Sequence, residues 1–222
     1  MRRLARAARS GSIAIGRLLA PLIAGIVALL VAGCAGPLPE TDASPAAEAA
    51  FEQRSQHLKA LAAWRLVARL GLSSGEEYWS AQAHWRMAEG QHTLDLSGPM
   101  GRGGGRLTLT DRHRAVLVTR AGERIRARDP DALVARVLGE SIPVTGMIYW
   151  VRGLLHPEAS YELDVDGDGR PLRIRQSGWS IQYTAFEEID GVAMPVTMVL
   201  ERDQLELRVR VGRWQLGPGA GA

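Results

Sequence analysis

Apolar and polar residues alternate with a period of two along most of this chain, the signature of strands with one face buried. Trp64, Leu66, Ala68 and Leu70 alternate with Arg65, Val67 and Arg69. Trp79, Ala81, Ala83, Trp85 and Met87 alternate with Ser80, Gln82, His84 and Arg86. Ser73-Ser74-Gly75 and Glu89-Gly90 supply hairpin turns. Leu94 and Leu96, then Leu107 and Leu109, flank a loop from Ser97 to Gly105 with five glycines, Pro99 and one large apolar side chain, Met100. Further runs follow at 115–118, 124–126, 161–165, 172–176, 179–183, 198–200 and 205–211, ending near Trp214.

Two stretches break the period. From Pro45 to about Ala63 the pattern predicts a helix, with Ser44 as cap, Pro45 in the first turn and an apolar stripe of Phe51, Leu58, Leu61 and Ala62. Asp129-Pro130-Asp131 starts a second helix whose apolar face is Leu133, Val134, Val137 and Leu138, with Gly139 to end it. Met147 to Val151, ending at Gly153, is too short and too apolar to be stable alone, so it should lie across an apolar surface. About ten or eleven antiparallel strands, interrupted once by helices, predict a mainly β (α+β) fold. The expected architecture is a strongly curved sheet or open barrel with helices covering its concave apolar face. Aromatic residues are only 5% of the chain and half are tryptophan, so aliphatic and methionine side chains should line most of the interior. A filled core and a cavity both fit this pattern.

Charge changes the picture only at the N-terminus. The formal charge is +3, but five of the 27 basic residues lie in residues 1–33, which hold no acid. The rest carries 22 basic and 24 acidic residues, a charge of −2, and makes no electrostatic case for nucleic acid. Those five arginines precede an apolar run from Leu18 to Gly33, 16 residues long and holding Pro21. It is short of the roughly 18 to 20 residues that span a bilayer and reads as a secretory signal. Val31-Ala32-Gly33-Cys34 resembles a bacterial lipobox and uses the chain's only cysteine. That resemblance implies acylation of Cys34, and Ala35 after it implies retention at the outer membrane, facing the periplasm. The expected organisation is a signal peptide over 1–33, a flexible tether over 34–44, a folded domain over 45–216 and a disordered tail over 217–222.

Candidate chemistry is sparse. Gly101, Gly103 and Arg106 leave a dinucleotide fingerprint incomplete, and the segment enters a strand instead of a helix. Asp164-x-Asp166-x-Asp168-Gly169 imitates the start of a calcium loop, but Arg175 stands where the bidentate glutamate belongs; a hairpin turn is the better account. The five histidines show no metal-binding spacing, and His57 reads as a solvated helix residue. No nucleophile elbow is present. No enzyme activity, cofactor or metal is expected.

Several motifs, in order and spacing, resemble the LolB family of outer-membrane lipoproteins. They are Trp85 in HWRM, LDLSGPMG with Pro99 and Gly101, and LGESIPVTGMIYWVRGLL with Gly139, Pro143, Trp150 and Gly153. Gln176-Ser177-Gly178-Trp179, Tyr183, Met194-Pro195 and Trp214 continue the resemblance, which runs from about Phe51 to Leu216. It implies an unclosed eleven-stranded half-barrel with an apolar cavity for acyl chains. It also implies a receptor that accepts cargo lipoproteins from the periplasmic carrier LolA and inserts them into outer-membrane lipid, acting as a monomer. The protruding loop of Pro99, Met100 and Gly101 would help deliver cargo, with methionine where the family usually has leucine. Candidate cavity and mouth residues are Leu66, Trp85, Leu94, Leu96, Leu107, Met147, Ile148, Trp150, Val151 and Trp179. The acceptor surface is expected around Trp85, Met147, Trp150 and Trp179. Two other readings stay open: a lipid-sensing lipoprotein that binds acyl chains without transferring them, and a structural envelope lipoprotein with a filled core.

Overall fold

The computed structural model describes residues 41, 44–99, 103–111 and 114–221. The signal peptide, Cys34, most of the tether, Met100 and Gly101 therefore lie outside the described residues. Helix α1, Pro45–Lys59, begins where the Ser44 side chain accepts a hydrogen bond from the Ala47 amide at 3.2 Å. It buries Ala47, Phe51, Ser55 and Leu58, one stripe at helical spacing. The expected helix ran four residues further. Instead Ala63 pairs with Ala88, so the strand pattern of Trp64 onward takes the chain before Leu61 and Ala62 can extend the stripe.

Six strands follow as a meander: β1 (Ala63–Ser74), β2 (Glu77–Ala88), β3 (Gln91–Ser97), β4 (Gly104–Asp111), β5 (Arg114–Thr119) and β6 (Arg124–Ala127). Then come α2 (Pro130–Leu138) and α3 (Val144–Trp150). A second meander finishes the domain: β7 (Tyr161–Val165), β8 (Pro171–Gln176), β9 (Trp179–Ile189), β10 (Val192–Arg202) and β11 (Leu205–Leu216). The eleven strands form one antiparallel sheet in the order β6-β5-β4-β3-β2-β1-β11-β10-β9-β8-β7. The two meanders are joined where β1 pairs with β11, from Trp64↔Leu216 to Ser74↔Leu205. β6 and β7 are the two edges and do not pair, so the barrel is unclosed.

The helices between those edges pack on the sheet's inner face, where Leu133, Val134, Met147 and Trp150 share one core with inward residues of both meanders. Asp129 caps α2 by accepting from the Ala132 amide at 3.0 Å, and Gly139 ends it in the left-handed conformation at φ 79°. The seven-residue α3 has no side-chain cap of its own. Asp131 of α2 supplies one, accepting from the Thr145 amide at 3.0 Å and its hydroxyl at 2.5 Å. The two short helices are thereby coupled. The Asp166 loop is the expected hairpin turn: its carboxylate accepts from the Asp168 and Arg170 amides and pairs with Arg170 Nε at 2.6 Å.

The tail differs from expectation. Gly217, at φ 79°, turns the chain back, its amide donates to the Ala63 carbonyl at 3.0 Å, and Pro218–Gly221 forms a 3-10 turn against β1 and β2. Low complexity suggested disorder, but small side chains also permit close approach, and Ala220 is buried there.

Candidate functional site

An apolar cleft of about 240 Å³ lies between the inner face of the first meander and the α2–α3 pair. Its floor is built in cross-strand rows. Leu94, Leu107 and Leu117 stand side by side on β3, β4 and β5, and the next row is Leu96, Gly105 and Thr119. The space arises in that second row, where a glycine and a threonine replace two leucines. Gly105 is obligatory as well as small, since a Cβ there would come 2.6 Å from the Val118 carbonyl. Gly104, at φ 94°, meets the Leu96 carbonyl in the same way. Val134, Val137 and Leu138 of α2, Ile142, and Val144 and Met147 of α3 form the roof; Leu70, Trp79 and Leu207 complete the wall. Among the described residues no charged side chain lines it. Trp79, Val137 and Leu138 also line an adjoining hollow of about 330 Å³ that reaches exposed Tyr78 and half-buried Glu140.

Of the residues expected at the cavity, Leu94, Leu96, Leu107 and Met147 do line the cleft. Leu66, Trp85, Trp150, Val151 and Trp179 are buried in the core instead, and Ile148 packs half-buried against it. The tryptophans expected at an open mouth are structural. Trp150, 1% exposed, donates through Nε1 to Gln176 Oε1 at 2.9 Å, and its carbonyl accepts from the Tyr183 hydroxyl at 2.8 Å. Gly146 leaves room for its ring, since a Cβ there would lie 2.6 Å from Cη2. Trp179 is stacked under the Arg202 guanidinium at 4.8 Å, and Trp85 packs against Trp64 at 5.7 Å. Of the acceptor surface expected around four residues, only Met147 stays on the cleft. The missed lining residues include Val134, Val137 and Leu138, which sequence assigned to the apolar face of α2. Their signal was the apolar face itself, at whose end Val137 and Leu138 remain exposed. Pro99 is exposed at the start of the loop, whose base is held by Ser97 pairing with Gly104 and by Arg120 donating to Ser97 Oγ at 2.5 Å.

The packed end of the domain holds its unusual electrostatics. Arg54 of α1 donates to the carbonyls of Ala193 (2.9 and 3.2 Å), Gly153 (3.1 Å) and Arg152 (2.9 Å). Arg152 donates to the Leu58 carbonyl at 3.0 Å and lies over Trp64 at 5.4 Å. Burial lowers both guanidinium groups to about 10, so both stay charged at neutral pH and tie α1 and the end of α3 to β10. His92 is pushed down to about 4, first by burial and then by the charge on Arg152, and is neutral. Its Nδ1 and the indole nitrogens of Trp64, Trp85 and Trp179 are buried without hydrogen-bond partners. Among the described residues no group of three His, Cys, Asp or Glu side chains is placed to hold a metal ion, and no helix is long and apolar enough to cross a membrane.

An unclosed antiparallel half-barrel with helices over an apolar interior is a fold shared with a LolA superfamily protein from Nitrosomonas europaea. That structure aligns with a TM-score of 0.50 at 10% identity, over 77% of this chain and 94% of its own. The family model "Outer membrane lipoprotein LolB" matches residues 62–214, and the chain belongs to that family. Similar proteins named outer-membrane lipoprotein LolB occur in Stutzerimonas stutzeri and Chromohalobacter salexigens. The first is 35% identical over 89% of this chain and 96% of its own length, and the second 35% identical over 86% and 88%.

Proposed function

We propose that this protein is an outer-membrane-anchored receptor that takes lipoproteins from a soluble LolA-like carrier through their acyl chains and inserts them into the outer membrane. The observation that carries the reading is the apolar cleft between the Leu94-Leu107-Leu117 rows and the α2–α3 roof. Its role is to bind and hand over cargo without chemical change. Hydrocarbon exposed to water costs about 0.8 kcal/mol per methylene, so a multiply acylated protein does not diffuse freely and one cavity must meet another. Direction then needs only a tighter acceptor, about 1.4 kcal/mol for each tenfold preference.

The cleft, at about 240 Å³, is smaller than the roughly 300–1,000 Å³ of ordinary ligand pockets. Full uptake therefore requires the roof to move outward, and the Asp131–Thr145 bonds let α2 and α3 move as one piece. Acylated Cys34 would supply the anchor, and Met100 at the tip of the 97–105 loop would enter the bilayer.

The test is carrier-dependent transfer of a labelled lipoprotein into liposomes bearing the acylated protein. Met100→Glu should leave acceptance from the carrier intact and slow insertion at least about tenfold, because a charge resists entry into hydrocarbon. Binding of acyl cargo without any onward transfer by the wild type would contradict the receptor reading and favour a lipid sensor. Normal insertion by Met100→Glu would remove the loop from the mechanism.

A further inference from the structure

The outward face of β1, β2 and β11, on the side of the sheet away from the cleft, is strongly basic. It presents Arg65, Arg69, Arg86, Arg208, Arg210 and Arg213, and Glu206 is the one carboxylate at the outward positions of these three strands. The register sets like charges side by side, with Arg69 directly across from Arg210. Facing like charges on neighbouring strands destabilise a sheet, so folding alone does not favour the arrangement. Glu206 is engaged by Arg208 at 2.6 Å, whereas Arg69, Arg210 and Arg213 make no ion pair among the described residues.

Tyr78 lies in the same field. Its ring rests over Gly71, where a Cβ would come 3.0 Å from the hydroxyl, and it is 71% exposed, the most open large apolar side chain among the described residues. Gly71 in turn stands opposite Arg208. An exposed tyrosine ring on a face of arginines suits a bilayer interface, with the ring at headgroup depth and the guanidinium groups on phosphates. The face is also continuous with the loop end of the barrel. Tyr78 sits beside the β1–β2 turn, and the 97–105 loop leaves from the same end, where Ser97 pairs with Gln82.

We propose that this outward face docks on anionic phospholipid headgroups and so sets the orientation of the anchored domain on the bilayer. The inference needs a bilayer within reach of the domain and does not need the hand-over reaction, so the two can fail separately.

The experiment uses the acylated full chain carrying Gln82→Cys, labelled with a fluorophore, since Gln82 is exposed on this face directly opposite Arg69. The protein is reconstituted into vesicles of phosphatidylcholine, or of phosphatidylcholine mixed with phosphatidylglycerol, each doped with a headgroup quencher. Quenching should be strong on the anionic vesicles and weak on the neutral ones. Arg69→Glu and Arg210→Glu should each cut the anionic preference about tenfold, through loss of charge attraction to the surface. Arg69→Glu also places a carboxylate opposite Arg210, so its melting temperature should hold or rise, which separates lost docking from misfolding. Equal quenching on both vesicle types, or quenching unchanged by charge reversal, would overturn the proposal. So would quenching that appears only when an acidic soluble protein is added, which would assign the face to a protein partner.

Discussion

Following β3 from one end to the other crosses two different interiors. At His92 the strand lies among Trp64 and Trp85, with ring centroids 5.7 and 6.2 Å away, and pairs with Met87 and Leu109. Two residues on, Leu94 faces Leu107, and two further, Leu96 faces Gly105 at the cleft. The same backbone geometry therefore gives a solid core or a hollow according to side-chain bulk in successive rows. The hollow is specified locally, by a glycine and a threonine where leucines would close it. The packed end acts as the abutment against which the helices are fixed.

Removing bulk from the packed end should have the largest effect. Trp150→Ala should cost about 3–5 kcal/mol, from the cavity left in a close-packed site and from the unpartnered Gln176 Oε1. Chemical denaturation measures this, and a loss below about 1 kcal/mol would mean that this end is as yielding as the cleft.

His92 sharpens the comparison through pH. Its folded value, about 4, lies below the ordinary 6.5, so the unfolded chain takes up a proton first as pH falls. The stability associated with neutral His92 is therefore intact above 6.5 and lost progressively between 6.5 and about 4, up to about 3 kcal/mol. His92→Phe should flatten the stability profile over that interval. A wild-type profile already flat there would place His92 in contact with water.

Much of this is legible in the sequence. Strand faces, the Asp129 and Gly139 ends of α2 and the Asp166 turn each depend on local period or a single capping group, and these are properties of short sequence. The cleft was only half legible. Leu94, Leu96 and Leu107 were evident as inward residues, but a tryptophan in an inward position reads the same whether it walls a cavity or fills a core. What decided between them were long-range partners: Gln176 for Trp150, Arg202 for Trp179 and Trp64 for Trp85. The 3-10 turn after Gly217 was hidden for the same reason, since its partner is Ala63 at the far end of the domain.

Filling the hollow should have the smallest effect on stability and a clear effect on binding. Leu96→Trp adds bulk where the Gly105 row leaves space, so stability should change by less than about 1.5 kcal/mol. Affinity for a fluorescent fatty acid should fall about tenfold, equivalent to about 1.4 kcal/mol. Unchanged affinity would place acyl binding somewhere other than this cleft.

The most direct measurement is to load a carrier with a lipoprotein whose acyl chains bear a photoactivatable group, allow hand-over, irradiate and map the adducts. Adducts are expected on Leu94, Leu96, Leu107, Leu117 and Met147, in the rows and roof of the cleft. Adducts confined to the outward face of the sheet, or none on the domain at all, would contradict it.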